Sequence, residues 1–199
     1  MNKINWILLA SLIIFEIQCA KGPSPQAGCG FVLNNEAQRV SWKKQTPIKM
    51  YFDASVPTQF HDGIKASFAT WEKAIGQQIF DFAGSLPSSV PTQDRKSVIY
   101  WEQTWETQNN TQQANTTIFW VDNQITEADI RVNAQNFAFS TNPGNNDVDI
   151  ESLFLHELGH VLGLAHSGSE QSVMALYLSS GTKRRDLTPE DISSVKCEY

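Results

Sequence analysis

The stretch that decides the fold is His156-Glu157-Leu158-Gly159-His160-Val161-Leu162-Gly163-Leu164-Ala165-His166. Residues four apart share one face of a helix, so His156 and His160 can bind one metal ion together. Gly163 tolerates the positive φ of a helix C-cap, which predicts that the helix ends there and the chain turns back. His166 then becomes a third ligand. Three neutral imidazoles with an open fourth position are typical of a catalytic zinc site rather than a structural one.

Glu157 follows the first histidine and is not needed to hold the ion. We expect its carboxylate to lie beside the open position, where it can take a proton from a zinc-activated water. Five fixed identities at these offsets would arise by chance about once in 10⁵ chains of this length. The chain has 4 histidines, and all but one fall in this stretch. The sequence therefore predicts one catalytic zinc ion.

The stretch resembles the H-E-x-x-H-x-x-G-x-x-H signature of the metzincin zinc endopeptidases. Those enzymes also have a methionine turn beneath the metal, and Ser172-Val173-Met174 matches it. The step from His166 to Met174, with Ser167 directly after the third ligand, resembles the matrixin branch, in its bacterial type. The resemblance implies a single α+β domain. It would contain a twisted, mixed five-stranded sheet, an active-site helix, a backing helix and a C-terminal helix.

The same resemblance implies an endopeptidase that hydrolyses peptide bonds in proteins or peptides, with Glu157 as general base. Matrixins of the animal type follow the methionine with Tyr-Pro, whereas this chain has Ala175-Leu176. The loop from 175 to 185 would line the specificity pocket. Its apolar residues Leu176, Tyr177 and Leu178 predict a preference for a bulky apolar residue just after the scissile bond.

Two other functions would account for part of this pattern. A zinc-binding surface or adhesion protein on the same fold, without catalysis, would hold the metal but would not require Glu157. A hydrolase of another kind that used only His156 and His160 would leave His166 and Met174 unexplained. The intact set of residues favours the peptidase.

The N-terminal residues are typical of a secretory signal. Lys3 precedes an apolar run from Trp6 to Phe15, which is shorter than the roughly 20 residues that span a bilayer. We expect residues 1–18 to be a signal peptide, with Cys19 as a lipidated first residue and residues 19–28 as a tether. Cleavage after Ala20 is the alternative. The protein would then be exported, either secreted or lipid-anchored to the cell envelope, and any membrane contact would be through the lipid.

The chain has 3 cysteines. Lipidating Cys19 would leave Cys29 and Cys197 as a pair, which an oxidising compartment can join in a disulfide. A rival role for Cys29 comes from the resemblance, because Cys29-Gly30 matches the core of the cysteine switch that caps the zinc in animal matrixin zymogens. The arginine of that switch is missing here, and the disulfide is favoured.

The remaining residues, 29–199, suffice for one catalytic domain with its own core. Period-two patterns predict five strands, and apolar residues on one face predict two helices. Thr188 as N-cap, with Pro189 after it and Asp191 closing a capping box, predicts the start of a third. The strands are placed at 47–53, 79–82, 97–101, 118–121 and 128–133, and the helices at 58–75, at 150–162 and from Thr188 onward. The polar run from Glu106 to Thr117 is expected to be an exposed loop. The stretch from Phe137 to Ser140 is the candidate for a sheet edge that pairs with extended substrate.

The formal net charge of −6 argues against nucleic acid as a partner. We expect a monomer that acts on protein or peptide substrates. Asp147 and Asp149 are candidates for a calcium site. A solvated loop that caps the next helix is favoured over it, because two carboxylates fall short of the six to eight oxygens that calcium takes.

Overall fold

The computed structural model describes residues 28–199. The predicted signal peptide, Cys19 and most of the tether lie outside the described residues. The strands of the central sheet are β1 (Ile48–Asp53), β2 (Phe80–Leu86), β3 (Ser97–Glu102), β4 (Ala114–Val121) and β5 (Gln124–Asn133). Their order is β2-β1-β3-β5-β4. The first three strands and β5 run parallel, whereas β4 pairs antiparallel with β5 and forms one edge. The predicted mixed five-stranded sheet is confirmed.

Within residues 28–199, three α-helices accompany the sheet: α1 (His61–Ile75), α2 (Ile150–Val161) and α3 (Pro189–Val195). Helix α1 buries Ile64, Phe68 and Trp71, which recur at steps of four and three and therefore lie on one face. It ends at Gly76, whose φ of 88° forms a left-handed C-cap. Side chains of α1, α2 and the sheet share one hydrophobic cluster.

Helix α2 is held deep in the domain. Of its twelve residues, nine are buried. Asp149 caps it by accepting a hydrogen bond from the backbone N–H of Ser152 at 2.9 Å. The indole of Trp71 on α1 donates to the carbonyl of Leu155 at 2.9 Å, which ties the two helices together. The helix that carries the first two histidines is thus fixed at its start and along its buried side.

The loop predicted from Glu106 to Thr117 is partly wrong, because β4 already begins at Ala114. Asn115 and Thr116 are polar, yet they pair with Arg131 and Ile130 of β5. An edge strand with one side open to water does not need the apolar alternation on which the prediction depended.

Substrate binding by the edge predicted from Phe137 to Ser140 stays a prediction, but these residues do not line the cleft beside the histidines. Ala138–Ser140 forms β6, which pairs with β7 (Asp147–Asp149) in a separate two-stranded sheet. The strand whose residues line the cleft beside the histidines is β4. Both β4 and β6 lie at the edge of a sheet, and only the folded arrangement shows which of them is next to the histidines.

Asp149 performs the helix-capping role that the sequence favoured, but it is fully buried rather than solvated. Its carboxylate pairs with the guanidinium of Arg185 at 2.5 Å. Asp147 accepts a hydrogen bond from the backbone N–H of Gly144 at 3.0 Å. Both carboxylates therefore already interact with donors of the protein, and calcium at this loop stays a prediction.

Cys29 and Cys197 form a disulfide with their Cα atoms 6.3 Å apart. The bond joins the start of the described chain to the segment that follows α3. None of the helices within residues 28–199 has both the length and the apolarity needed to cross a membrane.

Candidate metal centre

Three histidines converge at the C-terminal end of α2. His156 and His160 lie one turn apart on the helix, and His166 lies beyond the turn that ends it. The Nε2 atom of His160 is 3.1 Å from Nε2 of His156 and 3.2 Å from Nε2 of His166. Ligands at 2.0–2.1 Å around a tetrahedral zinc would be about 3.3 Å apart. The donor set and its spacing therefore fit zinc.

Backbone carbonyls orient the first two imidazoles. Nδ1 of His156 lies 2.7 Å from the carbonyl oxygen of Val173, and Nδ1 of His160 lies 2.7 Å from that of Leu164. A carbonyl can only accept, so each Nδ1 carries the proton and each Nε2 presents its lone pair. Burial lowers the pKa of both imidazoles to about 4, which keeps them neutral at neutral pH. Neutral imidazole is the form that binds a metal.

The turn that delivers His166 depends on Gly163. The helix closes with hydrogen bonds from Gly163 N–H to the carbonyl of His160 and from Leu164 N–H to that of Gly159, both at 2.9 Å. This pattern is a Schellman cap, and Gly163 occupies its left-handed position with φ 100°. A Cβ there would also lie 2.2 Å from the carbonyl oxygen of Val40. Both constraints require glycine.

The N-terminal segment supports this turn from outside. Val32 N–H donates to the Gly163 carbonyl at 2.8 Å, and Ala165 N–H donates to the Gly30 carbonyl at 2.7 Å. The segment is also held by the disulfide at Cys29. The backbone that leads to the third histidine is therefore held by the helix cap and by two hydrogen bonds to the N-terminal segment.

Met174 lies under the centre in a turn that α3 holds in place. The hydroxyl of Ser172 accepts from the N–H of Met174 at 2.9 Å and donates to the carboxylate of Asp191 at 2.5 Å. Asp191 also closes the predicted capping box with Thr188 at the start of α3. Because the neighbouring Val173 carbonyl orients His156, the start of α3 indirectly positions a ligand.

Glu157 lies beside the histidines and lines the same cleft. It is 4% exposed. Burial raises its pKa, while His160 and a hydrogen bond from Thr116 act in the opposite direction. A carboxylate with a raised pKa, next to a metal centre, can accept a proton near neutral pH.

The cleft has a volume of about 420 Å³ and runs between β4 and the loop after Met174. Leu176 and Tyr177 are 56% and 79% exposed, and Leu178 is partly buried against the core. The Gln113 side chain donates to the Leu178 carbonyl at 2.9 Å and links the loop to the start of β4. The three predicted specificity residues thus lie together along one wall.

Sequence reasoning did not find several contributors to this centre. The carbonyls of Val173 and Leu164 belong to the backbone, so no residue type signals them. Thr116 lay in a stretch that was predicted to be a loop. Its position in a Thr-Thr pair just before an apolar run was the one available signal for a strand start.

This α+β domain has the architecture of a metzincin. One helix and the turn after it present three convergent histidines, and a glutamate follows the first of them. The matrixin family model matches residues 35–199, and the chain belongs to the matrixin family. Matrixins are zinc metalloendopeptidases, so membership implies zinc at the histidine triad.

Similar curated proteins come from plants. Metalloendoproteinase 2-MMP of Arabidopsis thaliana is 42% identical over 52 residues, which are 26% of this chain and 14% of that protein. Metalloendoproteinase 1-MMP of the same plant is 50% identical over 48 residues, 24% of this chain and 13% of the relative. Metalloendoproteinase 1 of Glycine max is 33% identical over 57 residues, which are 29% of this chain and 19% of that protein. The matched segments are a minor part of each relative.

Proposed function

We propose that the protein is a zinc-dependent endopeptidase that hydrolyses peptide bonds in proteins. The observation that carries the proposal is the convergence of three imidazole Nε2 atoms with the Glu157 carboxylate in one open cleft. Family membership and the names of the similar proteins support the same activity.

Zinc bound by the triad would supply a Lewis acid that activates water and polarises the scissile carbonyl. His156, His160 and His166 would hold the ion through Nε2. Glu157 would accept a proton from the attacking water and pass it to the leaving amide nitrogen, which departs as an amine. The open edge of β4 would bind the substrate as an extended strand through backbone hydrogen bonds.

We further propose that a bulky apolar side chain occupies the position just after the scissile bond. Leu176 and Tyr177 offer exposed apolar surface there, and Leu153 contributes to the same lining. Sequencing the products from a random peptide library tests this preference. A profile dominated by charged residues at that position would contradict it.

Export is also part of the proposal. The apolar run from Trp6 to Phe15 supports it, and so does the Cys29–Cys197 pair, because disulfides persist in oxidising compartments. Mass spectrometry of protein from cell fractions would identify the first residue and any lipid on Cys19. Intact protein with residues 1–18 retained in the cytoplasm would contradict export.

Two variants separate chemistry from metal binding. Glu157→Gln keeps the size of the side chain but cannot accept a proton at neutral pH, so peptide hydrolysis should fall by about 10²- to 10⁴-fold with zinc still bound. His156→Ala should lose both zinc and activity, since two ligands hold zinc less well than three. Peptide cleavage rates and metal analysis on the same samples provide both readouts.

The same two measurements on the wild type test the competing adhesion function. A zinc-binding protein without catalysis would retain its metal and cleave no peptide even as wild type. Near wild-type turnover by Glu157→Gln with zinc bound would instead refute the proposed mechanism.

A further inference from the structure

The hydroxyl of Thr116 lies against the carboxylate of Glu157. Its Oγ1 atom is 2.5 Å from Oε2 of Glu157 and 3.4 Å from the backbone carbonyl oxygen of the same residue. The two residues are 41 positions apart, one on the edge strand β4 and one on α2. An ionised carboxylate can only accept, so the hydroxyl donates, and a bond of this length is typical of a charge-assisted hydrogen bond.

The hydroxyl is held in place by the sheet. Thr116 pairs with Ile130 of β5, whose side chain is fully buried. A β-branched side chain has few χ1 rotamers, so threonine presents its hydroxyl with little freedom. The donor therefore has a fixed position relative to the active-site helix.

The hydrogen bond engages one oxygen of the carboxylate and leaves the other available. Oε1 of Glu157 accepts no hydrogen bond from the described residues, and it is not among their buried unpartnered atoms. Since Glu157 lines the cleft, Oε1 is the oxygen that can meet a water there. Without the hydroxyl, the carboxylate could rotate about χ3, which has a broad and roughly two-fold distribution of angles. Either oxygen could then face the cleft.

We propose that Thr116 is a positioning residue for the general base: its hydroxyl fixes Oε2 of Glu157 so that Oε1 takes the proton. The inference rests on the proposed function, because it assigns Thr116 a role in the reaction of Glu157. Thr116 itself need not touch the reacting atoms. The catalytic contribution of the hydroxyl comes through the orientation of Glu157.

The kinetic test uses zinc-loaded protein and a peptide selected from the library. Thr116→Val removes the hydroxyl and keeps the branched shape, so kcat should fall by about 10- to 100-fold, the range for a lost hydrogen bond to a charged group. KM should stay within about twofold, because the strand and its backbone groups are unchanged. Thr116→Ser keeps the hydroxyl and should restore most of kcat.

Thr117→Val is the matched control. It is an exposed residue of the same strand, and its hydroxyl contacts the side chain of Asn115 at 3.2 Å rather than Glu157. Its kcat and KM should match those of the wild type. Wild-type kcat in Thr116→Val, or no recovery in Thr116→Ser, would overturn the proposal.

A second measurement does not depend on activity. In metal-free protein, Thr116→Val should lower the urea midpoint when Glu157 is present and have little effect in a Glu157→Ala background. Equal losses in both backgrounds would show that the hydroxyl does not act on Glu157. If the wild type cleaves no peptide, the proposed function fails, while this cycle still decides whether the contact exists.

Discussion

Gly159 lies in α2 between the two helical histidines, and we predict that alanine there destabilises the domain. A Cβ added to Gly159 would lie 2.2 Å from Sδ of Met174, 3.0 Å from its Cε and 3.2 Å from Cζ2 of Trp71. Optimal contacts between such atoms are about 3.5 to 4.0 Å. The distance of 2.2 Å to Sδ is shorter than an optimal contact by more than about 1 Å, so alanine requires Met174 to move by about that much.

Two opposing effects set the size of the loss. Replacing a glycine inside a helix by alanine gains about 1 kcal/mol of helix propensity. Overpacking a well-packed core costs about 1 to 3 kcal/mol. The upper part of that range applies, because the Met174 side chain is buried, with 3% of its surface exposed. We expect Gly159→Ala to lower the free energy of unfolding by about 1 to 2 kcal/mol.

Urea unfolding of the metal-free, disulfide-intact protein measures this quantity directly. A zinc competition assay with a chelator should also show weaker binding by the variant. Zinc binding should weaken because a displaced Met174 shifts the adjacent Val173 carbonyl. The oxygen of that carbonyl lies 2.7 Å from Nδ1 of His156 and orients the imidazole.

The control is the same substitution in a Met174→Ala background. The Met174 side chain that blocks the added Cβ is then absent, so Gly159→Ala should be neutral or stabilising in that background. Only the contact of 3.2 Å with Trp71 would still oppose it. Equal or greater stability of Gly159→Ala in the wild-type background would refute the packing argument. Equal losses in both backgrounds would also refute it, because the cost would then have another origin.

Two further predictions concern stability. Burial raises the pKa of Asp129 from 3.8 to about 7, so the folded protein binds this proton more tightly than the unfolded chain. The unfolding free energy should therefore fall as pH rises from about 4 to 7, and Asp129→Asn should remove up to about 4 kcal/mol of that fall. Urea titrations of both proteins at pH 4 and pH 8 check this, and parallel pH profiles would contradict it. Replacing Cys29 and Cys197 by serine should cost up to about 4 to 5 kcal/mol, since the disulfide closes a loop with a sequence separation of 168. Unchanged urea midpoints under non-reducing conditions would exclude this contribution.

Local signals predicted the parts of the molecule that depend on neighbouring residues. The buried face of α1, its end at Ile75 and the capping box of Thr188 each follow from residues within one or two turns. The spacing of His156 and His160 is local for the same reason.

Contacts between distant segments could not be predicted in this way. The polar start of β4 is a strand because β5 lies beside it, and no periodicity in residues 114–117 signals that partner. The hydrogen bond from Thr116 to Glu157 joins a strand that was partly missed to a helix that was predicted. The close approach of Met174 to Gly159 is likewise visible only once both backbones are placed.

The position of the disulfide also determines how the domain would respond to tension. Cys29 and Cys197 enclose the whole sheet and all three helices within one covalent loop. A force applied between Gly28 and Tyr199 would pass through the sulfur–sulfur bond and would not reach the strands or the turn that carries His166. With the bond intact, pulling on the two ends cannot extend the domain. After reduction, the same force would act first on the segment from Gly30 to Val32, whose backbone hydrogen bonds hold that turn.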